Sequence, residues 1–154
     1  MSVVLQKTYN TTIGKVTIEA TAQAVTALYM GEPNKCLVHG ENAIMQQAIQ
    51  ELTAYLNGEL RTFTTPLAPQ GTDFQQRVWQ ALQAIPYGQT KNYKQVAELI
   101  GNANASRAVG NANNKNPILF MIPCHRVIGA NGKLVGYGAG LPLKEQLLKL
   151  EGYL

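Results

Sequence analysis

The segment that decides the fold of the second half of the chain covers residues 93–113 and reads YKQVAELIGNANASRAVGNAN. A helix is predicted from Tyr93 to Ile100, where Gly101 can end it. A second helix is predicted from Ala105 to Asn113. Two short helices joined by a glycine-bearing turn are typical of a helix-turn-helix.

The second of these helices is built largely from alanine, serine and glycine, and Arg107 is its one long side chain. Gly110 in the helix interior costs roughly 1 kcal/mol relative to alanine, so a reason for its presence is expected. Two explanations stay open. The helix either packs tightly against a neighbouring helix or approaches a narrow groove of a partner molecule.

Helices and a hairpin are predicted around this motif. Thr72 and Gln75 form a capping-box pattern, which starts a helix that ends at Pro86-Tyr87-Gly88. Downstream, residues 126–128 and 133–135 flank Asn131-Gly132, a strong hairpin signal. A hairpin after a helix-turn-helix forms a wing, and a last helix is predicted from Leu143 to about Leu150.

The first half of the chain predicts a small α+β module. Three strands, Val3–Tyr9, Lys15–Ala20 and Ala24–Met30, follow each other so closely that an antiparallel meander is expected. An amphipathic helix follows from about Asn42 to Asn57. The uncharged segment 64–71 contains two prolines and reads as a linker, so we expect an N-terminal domain over residues 1–71 and a C-terminal domain over residues 72–154.

Composition and charge narrow the classes of function. Apolar residues make up 45% of the 154 residues, and no apolar run reaches the roughly 20 residues that a membrane span needs. The first residues lack a secretion signal and the two cysteines form no disulfide framework, so a reducing, cytoplasmic location is expected. The net charge is −2 over residues 1–73 and +6 over residues 74–154. A basic half indicates either a polyanionic partner or a merely solvated surface.

Cys124 and His125 are the candidates for chemistry. They follow an apolar run, residues 118–122, that predicts the end of a buried strand. A thiol becomes a strong nucleophile as a thiolate, and His125 and Arg126 could supply a base and a positive field. Alternatives are a structural cysteine beside a surface histidine, or a metal site with Cys36 and His39, whose spacing fits no zinc arrangement.

Residues 123–128, PCHRVI, resemble the active-site signature of the O6-alkylguanine-DNA alkyltransferases, the methylated-DNA–protein-cysteine methyltransferases. Several further segments between about Thr72 and Tyr153 resemble the family in order and spacing. They are Pro86-Tyr87-Gly88 to Tyr93, Ser106–Gly110, Asn116-Pro117-Ile118, Gly136-Tyr137, Lys144-Glu145 and Glu151-Gly152. The first half resembles the family only loosely, and the resemblance implies an RNase H-like fold there.

This resemblance implies a DNA repair protein that flips O6-alkylguanine out of duplex DNA and transfers the alkyl group irreversibly to Cys124, once per molecule. Activity on O4-alkylthymine stays open, as does the preference between methyl and bulkier groups. By the same resemblance, His125 takes the thiol proton through a water and Glu151 orients His125. Asn116 stabilises the active-site turn.

The resemblance also implies the contacts with DNA. Arg107 would enter the base stack, while the helix that carries Ala105, Ser106 and Gly110 would lie in the minor groove. Tyr93 would assist the leaving guanine, and Tyr137 and Gly138 would line the pocket. Some relatives have a serine where this chain has Gly138, which puts one hydrogen bond to the base in doubt. Candidates for phosphate contacts are Lys91, Lys94, Lys115, Arg126 and Lys133.

No cofactor and no metal are expected, and Cys36 is interpreted as a structural thiol. The expected partner is double-stranded DNA with alkylated bases; the protein is expected to be a monomer, and cooperative binding on DNA stays open. Two rival functions remain: a winged-helix module that binds lesions without reaction, and a cysteine hydrolase that uses Cys124 and His125.

Overall fold

The structure is a computed structural model and describes residues 3–154. The expectation of no secretion signal was based on the first residues of the chain. Two of these, Met1 and Ser2, lie outside the described residues. The chain folds into two compact units that divide after Gln70.

The first unit is a four-stranded sheet with one helix. Its elements are β1 (Leu5–Thr11), β2 (Gly14–Ala20), β3 (Val25–Met30), β4 (Val38–His39) and α1 (Ala43–Leu56), and the strand order is β3-β2-β1-β4. The antiparallel meander of β1, β2 and β3 confirms the prediction. Strand β4 pairs in parallel with β1 and was missed, because two residues are too few to show a strand period.

The core of this unit lies between β2 and α1. Val16, Ile18 and Ala20 alternate along β2 and are fully buried, as expected for one face of a strand. Helix α1 buries an apolar face against the sheet. Its N-terminus is capped by Asn42, whose Oδ1 accepts a hydrogen bond from the Met45 backbone N–H at 2.9 Å.

The opposite face of β2 carries a buried carboxylate. Glu19 is 2% exposed and accepts hydrogen bonds from Gln6 Nε2 at 2.9 Å and from the Tyr29 hydroxyl at 2.7 Å. The Lys35 ammonium lies 3.8 Å from the same carboxylate. Gln6 Nε2 also donates to the Lys35 carbonyl at 3.1 Å, so this cluster fixes the loop after β3 to the sheet.

The second unit is mainly helical. Its elements are α2 (Asp73–Gln83), β5 (Lys91–Asn92), α3 (Tyr93–Leu99), α4 (Ser106–Asn114), β6 (Val127–Ile128) and α5 (Leu141–Leu150). The capping box of Thr72 and Gln75 is present at the start of α2, as predicted. Helices α3 and α4 form the predicted helix-turn-helix, and both pack on α2.

Trp79 joins α2 to α4. The indole ring is 1% exposed, and its Nε1–H donates a hydrogen bond to the Ala112 carbonyl at 2.9 Å. Val78, Leu82 and Val109 are fully buried beside it in the core. Ala112 is 2% exposed, so this small residue of α4 serves helix packing, in agreement with the first of the two explanations.

The prediction of a wing is wrong in part, because the turn of the hairpin forms but its second strand does not. The turn at Asn131-Gly132 forms, and the Gly129 N–H donates to the Lys133 carbonyl at 2.8 Å. Residues 133–135 do not continue as a strand, and β6 pairs in parallel with β5 instead. The carbonyls of Val127 and Val135 both accept hydrogen bonds from the Lys144 ammonium, which replaces the ladder that a hairpin would use.

A sheet with a helix, followed by a mainly helical unit, confirms the predicted α+β class. A helix suited to crossing a membrane is absent from residues 3–154.

Candidate active site

The site is built on a series of tight turns after α4. Residues 118–122 were predicted to form a buried strand, and this prediction is wrong. The Ile122 N–H donates to the Ile118 carbonyl at 3.1 Å, and Phe120 takes a positive φ of 69°. That conformation is strained for a bulky residue, so the surrounding contacts must hold it in place.

Asn116 holds both ends of these turns. Its Oδ1 accepts a hydrogen bond from the Ile118 N–H at 2.9 Å, and its Nδ2 donates to the Ile122 carbonyl at 2.7 Å. The side chain therefore replaces the backbone ladder that a strand would have provided. This geometry matches the stabilising role that the resemblance implies for Asn116.

Directly after these tight turns, Cys124, His125 and Arg126 form a short 3₁₀ helix. In a strand, neighbouring side chains would point to opposite faces, whereas in this turn all three are buried. Cys124 is a free thiol and is 2% exposed. A nucleophile and a candidate base thus share one short, buried segment.

Glu151, at the C-terminal end of α5, connects this turn to the rest of the unit. His125 Nε2 lies 2.7 Å from Glu151 Oε2. Arg126 donates from Nε to Glu151 Oε1 at 2.8 Å and from Nη2 to Oε2 at 3.0 Å. The Gly88 backbone N–H donates to Oε1 at 3.2 Å, so the Pro86-Tyr87-Gly88 turn is tied to the same carboxylate.

The expectation that Arg126 contacts a DNA phosphate is wrong. It was a candidate for phosphate contact, but it is 6% exposed and its guanidinium is used inside the protein. Besides Glu151, it donates from Nη1 to the Ile85 carbonyl at 2.8 Å, and it lies 5.7 Å from the centre of the Tyr87 ring. A buried guanidinium needs such partners, because an unpaired charge inside a protein is strongly unfavourable.

Burial sets the protonation of the two reactive groups. It lowers the pKa of His125, against the opposing effect of Glu151, so the imidazole is neutral at pH 7. Burial also raises the pKa of the Cys124 thiol from 9.0 to about 11. The resting nucleophile is therefore a protonated thiol beside a neutral histidine.

Lys144 belongs to the site and was missed as a site residue. It is fully buried at the start of α5, where it donates hydrogen bonds to the carbonyl oxygens of Val127 and Val135. Burial lowers its pKa from 10.5 to about 8, and its positive charge favours the thiolate of Cys124. The only sequence signal was its place in a family-like segment, because a lysine in an amphipathic helix is usually exposed.

Two tyrosines lie within electrostatic range of Cys124. Tyr93 is half-buried, and its hydroxyl donates to the Val135 carbonyl at 3.3 Å. Tyr137 is 8% exposed. Burial first and the charge of Cys124 second raise the pKa of both hydroxyls, so each keeps its proton at neutral pH. Gly138, in the same loop as Tyr137, is exposed.

The remaining predicted residues lie on and near α4. Arg107 is exposed, while Ala105, Ser106 and Gly110 are half-buried. A Cβ added to Gly110 would lie 3.7 Å from the Tyr93 ring, an ordinary van der Waals distance, so Gly110 lies beside Tyr93 but the space does not require a glycine there. Lys94, Lys115 and Lys133 are exposed and Lys91 is half-buried, which leaves them available to a polyanion.

A metal centre finds no support in the described residues. No three side chains of histidine, cysteine, aspartate or glutamate within residues 3–154 are grouped so that they could hold a metal ion. Cys36 is an exposed free thiol in the first unit.

Comparison with known proteins gives the same family for both units. Residues 4–69 match the model of the 6-O-methylguanine DNA methyltransferase ribonuclease-like domain, and residues 73–153 match the model of the DNA binding domain of the same proteins. A methylated-DNA–protein-cysteine methyltransferase of Methanosarcina acetivorans is 61% identical over 107 residues, which are 70% of this chain and 69% of that protein. One from Mycobacterium bovis is 46% identical over 149 residues, which are 94% of this chain and 90% of that protein.

A solved structure agrees with these matches. The crystal structure of Mycobacterium tuberculosis OGT in complex with DNA superposes with a TM-score of 0.89 at 45% identity, over 96% of this chain and 92% of that chain. The ribonuclease-like and DNA-binding descriptions match the two folds expected for the two halves.

Proposed function

Because the chain belongs to the 6-O-methylguanine DNA methyltransferase family, we propose that it is a DNA repair protein that transfers the alkyl group from O6-alkylguanine to its own Cys124. One observation carries this proposal. The Cys124 thiol is buried in the same 3₁₀ turn as a neutral histidine, and that histidine is bonded to the buried carboxylate of Glu151. The arrangement is that of a nucleophile, a base and a residue that orients the base.

The reaction is a displacement at the alkyl carbon. The Cys124 sulfur forms a bond to that carbon while the bond between the carbon and guanine O6 breaks, and the electron pair of the broken bond passes to the guanine. The guanine takes up one proton and the thiol loses one, so the reaction balances without a cofactor. The product is a thioether, and the reverse reaction would have to expel the Cys124 thiolate from an unactivated thioether, for which no residue of the site supplies the activation. One turnover per molecule is therefore expected.

His125 can accept the thiol proton. A carboxylate only accepts hydrogen bonds, so the close contact with Glu151 places the imidazole proton on Nε2. The basic lone pair is then on Nδ1, and a water between Nδ1 and the sulfur would carry the proton. Glu151 and Arg126 fix the orientation of the ring and of the turn, as outer groups do in other catalytic sites.

The second unit is proposed to bind the DNA. The buried Cys124 sulfur cannot reach guanine O6 while the base is paired and stacked, so the nucleotide must rotate out of the stack at a cost of a few kcal/mol. Contacts of Lys91, Lys94, Lys115 and Lys133 with phosphates would offset part of this cost, in line with the charge of +6 over residues 74–154. Helix α4 has the small side chains that fit a minor groove roughly 6 Å wide.

Arg107 is proposed to replace the flipped nucleotide in the stack. It is exposed on α4, where it follows the small residues Ala105 and Ser106. Tyr93 would donate a hydrogen bond to the leaving guanine, because its hydroxyl keeps its proton and lies in the electrostatic range of Cys124. Tyr137 and Gly138 would line the pocket for the extruded base.

Further proposals concern the domains, the oligomeric state, the cellular location and a second substrate. We assign DNA binding and chemistry to residues 72–154 and a supporting ribonuclease-like domain to residues 1–71. The protein would act as a monomer in the cytoplasm, where a reducing environment keeps Cys124 as a thiol. O4-alkylthymine is a second candidate substrate.

Intact-protein mass spectrometry tests the function directly. After incubation with duplex DNA that contains O6-methylguanine, the protein should gain the mass of one methyl group in place of one hydrogen, and peptide mapping should place it on Cys124. Cys124→Ala should bind the same DNA without gaining mass, while Cys36→Ala should react like the natural chain. Binding of the lesion without any mass gain would favour a non-catalytic lesion-binding protein and overturn the proposal.

A further inference from the structure

The turn at residues 86–88 meets the C-terminal end of α5 at Glu151. The turn is closed by a hydrogen bond from the Gln89 N–H to the Pro86 carbonyl at 3.1 Å. The Gly88 N–H donates to Glu151 Oε1 at 3.2 Å. Gly88 has a φ of 79°, which favours glycine, and a Cβ there would lie 3.1 Å from the Glu151 backbone oxygen. The turn therefore lies against both the side chain and the backbone of Glu151.

Tyr87 makes a further contact with the same end of α5. Its hydroxyl donates a hydrogen bond to the Leu150 carbonyl at 3.2 Å. The last four carbonyl groups of a helix have no partner within the helix, so this hydroxyl serves a group that needs a donor. The Leu150 carbonyl belongs to the peptide unit that leads into Glu151. A bond that fixes this peptide unit also fixes the place from which the Glu151 side chain extends.

The ring of Tyr87 contacts the counter-ion of Glu151. The Arg126 guanidinium lies 5.7 Å from the ring centre, within the distance at which a cation is attracted to an aromatic ring. Arg126 donates to both carboxylate oxygens of Glu151, and it donates at 2.8 Å to the carbonyl of Ile85, which precedes the turn. One tyrosine therefore supports Glu151 in two ways, through the backbone with its hydroxyl and through Arg126 with its ring.

We propose that Tyr87 is a positioning residue for methyl transfer and holds Glu151 in the place from which it orients His125. The inference rests on the proposed function and deepens it. His125 Nε2 lies only 2.7 Å from Glu151 Oε2, so a shift of the carboxylate would turn the imidazole ring with it. A displacement of about 1 Å in a catalytic group can lower a rate on the order of a hundredfold.

The alternative is that Tyr87 serves packing alone. Phenylalanine would then replace it without any effect on the reaction of the folded protein, and so would leucine. Tyr87→Phe removes the hydroxyl and keeps the ring, whereas Tyr87→Leu removes both. The two variants therefore distinguish a positioning role from packing, and they divide that role between the hydroxyl and the ring.

The first experiment measures single-turnover methyl transfer from duplex DNA with O6-methylguanine at increasing protein concentration. The temperature is one at which circular dichroism shows the variants to be folded. Tyr87→Phe should lower the saturating rate roughly threefold to tenfold, because one hydrogen bond is lost. Tyr87→Leu should lower it roughly tenfold to a hundredfold. The protein concentration at half the saturating rate should not change, because Tyr87 positions His125 and does not bind DNA.

Tyr153 supplies the matched control. It is a tyrosine two residues after Glu151, and it is 38% exposed. Tyr153→Phe and Tyr153→Leu make the same chemical changes at the same end of α5. Both should keep the natural saturating rate.

A spectroscopic measurement on the free protein separates positioning from a loss of stability. The chain has two histidines, and the exposed His39 should exchange its imidazole protons with water rapidly. The Nε2 proton of the buried His125 is bonded to Glu151, so isotope-labelled histidine should show it as the one slowly exchanging imidazole proton. In Tyr87→Leu this proton should exchange at least roughly tenfold faster, and in Tyr87→Phe the change should be smaller. The Tyr153 variants should leave it unchanged.

Three results would overturn the inference. The first is a folded Tyr87→Leu with the natural saturating rate. The second is a lower rate with an unchanged His125 signal, since Tyr87 would then act by a route other than Glu151. The third is a change in the half-saturating concentration alone, which would assign Tyr87 to DNA binding. Should Tyr87→Leu fail to fold, the same criteria apply to Tyr87→Phe.

Failure of the proposed function would look different. A natural chain that transfers no methyl group would overturn that function. The His125 signal of the free protein would still show whether Tyr87 holds Glu151 in place.

Discussion

Each unit of the molecule contains one buried carboxylate with several hydrogen-bond donors, and the two carboxylates differ in what their donors are attached to. Glu19 is 2% and Glu151 is 5% exposed. Glu19 accepts hydrogen bonds from a glutamine and a tyrosine of the sheet, and it forms an ion pair with the ammonium of Lys35 at 3.8 Å. The donors to Glu151 include His125 and Arg126, which lie in the turn that also carries Cys124.

This difference teaches that burial and hydrogen bonding of a carboxylate do not by themselves mark an active site. The cluster around Glu19 fixes a loop, and its hydrogen bonds contribute to stability. Under the proposed function, the cluster around Glu151 holds His125 in orientation beside Cys124, so there the same kind of interaction would act on the reaction. Variants in the two clusters should therefore separate an effect on rate from an effect on stability.

Glu151→Gln should have the largest effect. Without the carboxylate, His125 loses the group that holds its proton on Nε2, so the rate of methyl transfer should fall roughly a hundredfold or more. Arg126 would become a buried charge without its counter-ion, which should lower the free energy of unfolding by about 3–5 kcal/mol. Single-turnover kinetics and urea unfolding measure the two effects. Glu145→Gln, exposed on the same helix, is the control, and an unchanged rate in Glu151→Gln would contradict the assigned role.

The buried Cys124 thiol should react more slowly with a small alkylating reagent than the exposed Cys36 thiol. With a pKa of about 11 instead of 9.0, Cys124 has roughly a hundredfold less thiolate near neutral pH than an ordinary cysteine. Iodoacetamide should therefore label the exposed Cys36 first, and labelling of Cys124 should increase as the pH rises toward 11. With alkylated DNA in place of iodoacetamide, Cys124 should be alkylated and Cys36 should not. Peptide mapping after short labelling checks both, and equal labelling of the folded protein at pH 7 would contradict the buried, protonated state of Cys124.

Lys144→Met should have an intermediate effect. The ammonium favours the Cys124 thiolate, so its loss should slow methyl transfer roughly tenfold. Because its lowered pKa is about 8, Lys144 is charged below that pH and loses its charge above it. The advantage of the natural chain over Lys144→Met should therefore shrink as the pH rises through about 8. A pH series of single-turnover rates measures this, with the exposed Lys149→Met as the control. A constant ratio across the series would rule out the electrostatic role.

Glu19→Gln should have the smallest effect on the reaction. It weakens the hydrogen bonds from Gln6 and Tyr29, so the free energy of unfolding should fall by about 1–3 kcal/mol. The rate of methyl transfer should stay the same, because none of these residues lies in the turn of Cys124. Glu32→Gln, which removes only an exposed ion pair with Lys15, should change neither quantity. A lower rate of methyl transfer in Glu19→Gln, measured where the variant is fully folded, would contradict the difference between the two clusters.

Features that depend on neighbours in the sequence were predictable. The meander follows from alternating apolar residues and short turns, and the start of α2 follows from the Thr72–Gln75 capping box. Cys124 and His125 were singled out because they are adjacent and belong to a motif, and the structure places them in one buried turn. In each case, the residues that determine the structure lie within a few positions of each other.

Features that depend on distant residues were missed. Residues 118–122 look like a strand, but the Asn116 side chain binds their backbone groups and holds them as turns. Arg126 looks like a surface cation until Glu151, 25 positions later, is placed against it. Lys144 looks like part of an exposed helix face, and only the folded chain brings the carbonyl groups of Val127 and Val135 to it.

Trp79 has a consequence for how the protein can be observed. It is the one tryptophan in the chain, and its indole N–H is bonded to the carbonyl of Ala112. Indole emission shifts with hydrogen bonding and with exposure to water. The protein therefore contains a built-in fluorophore attached to α4, and the proposed binding of DNA at that helix can be tested in the unlabelled chain.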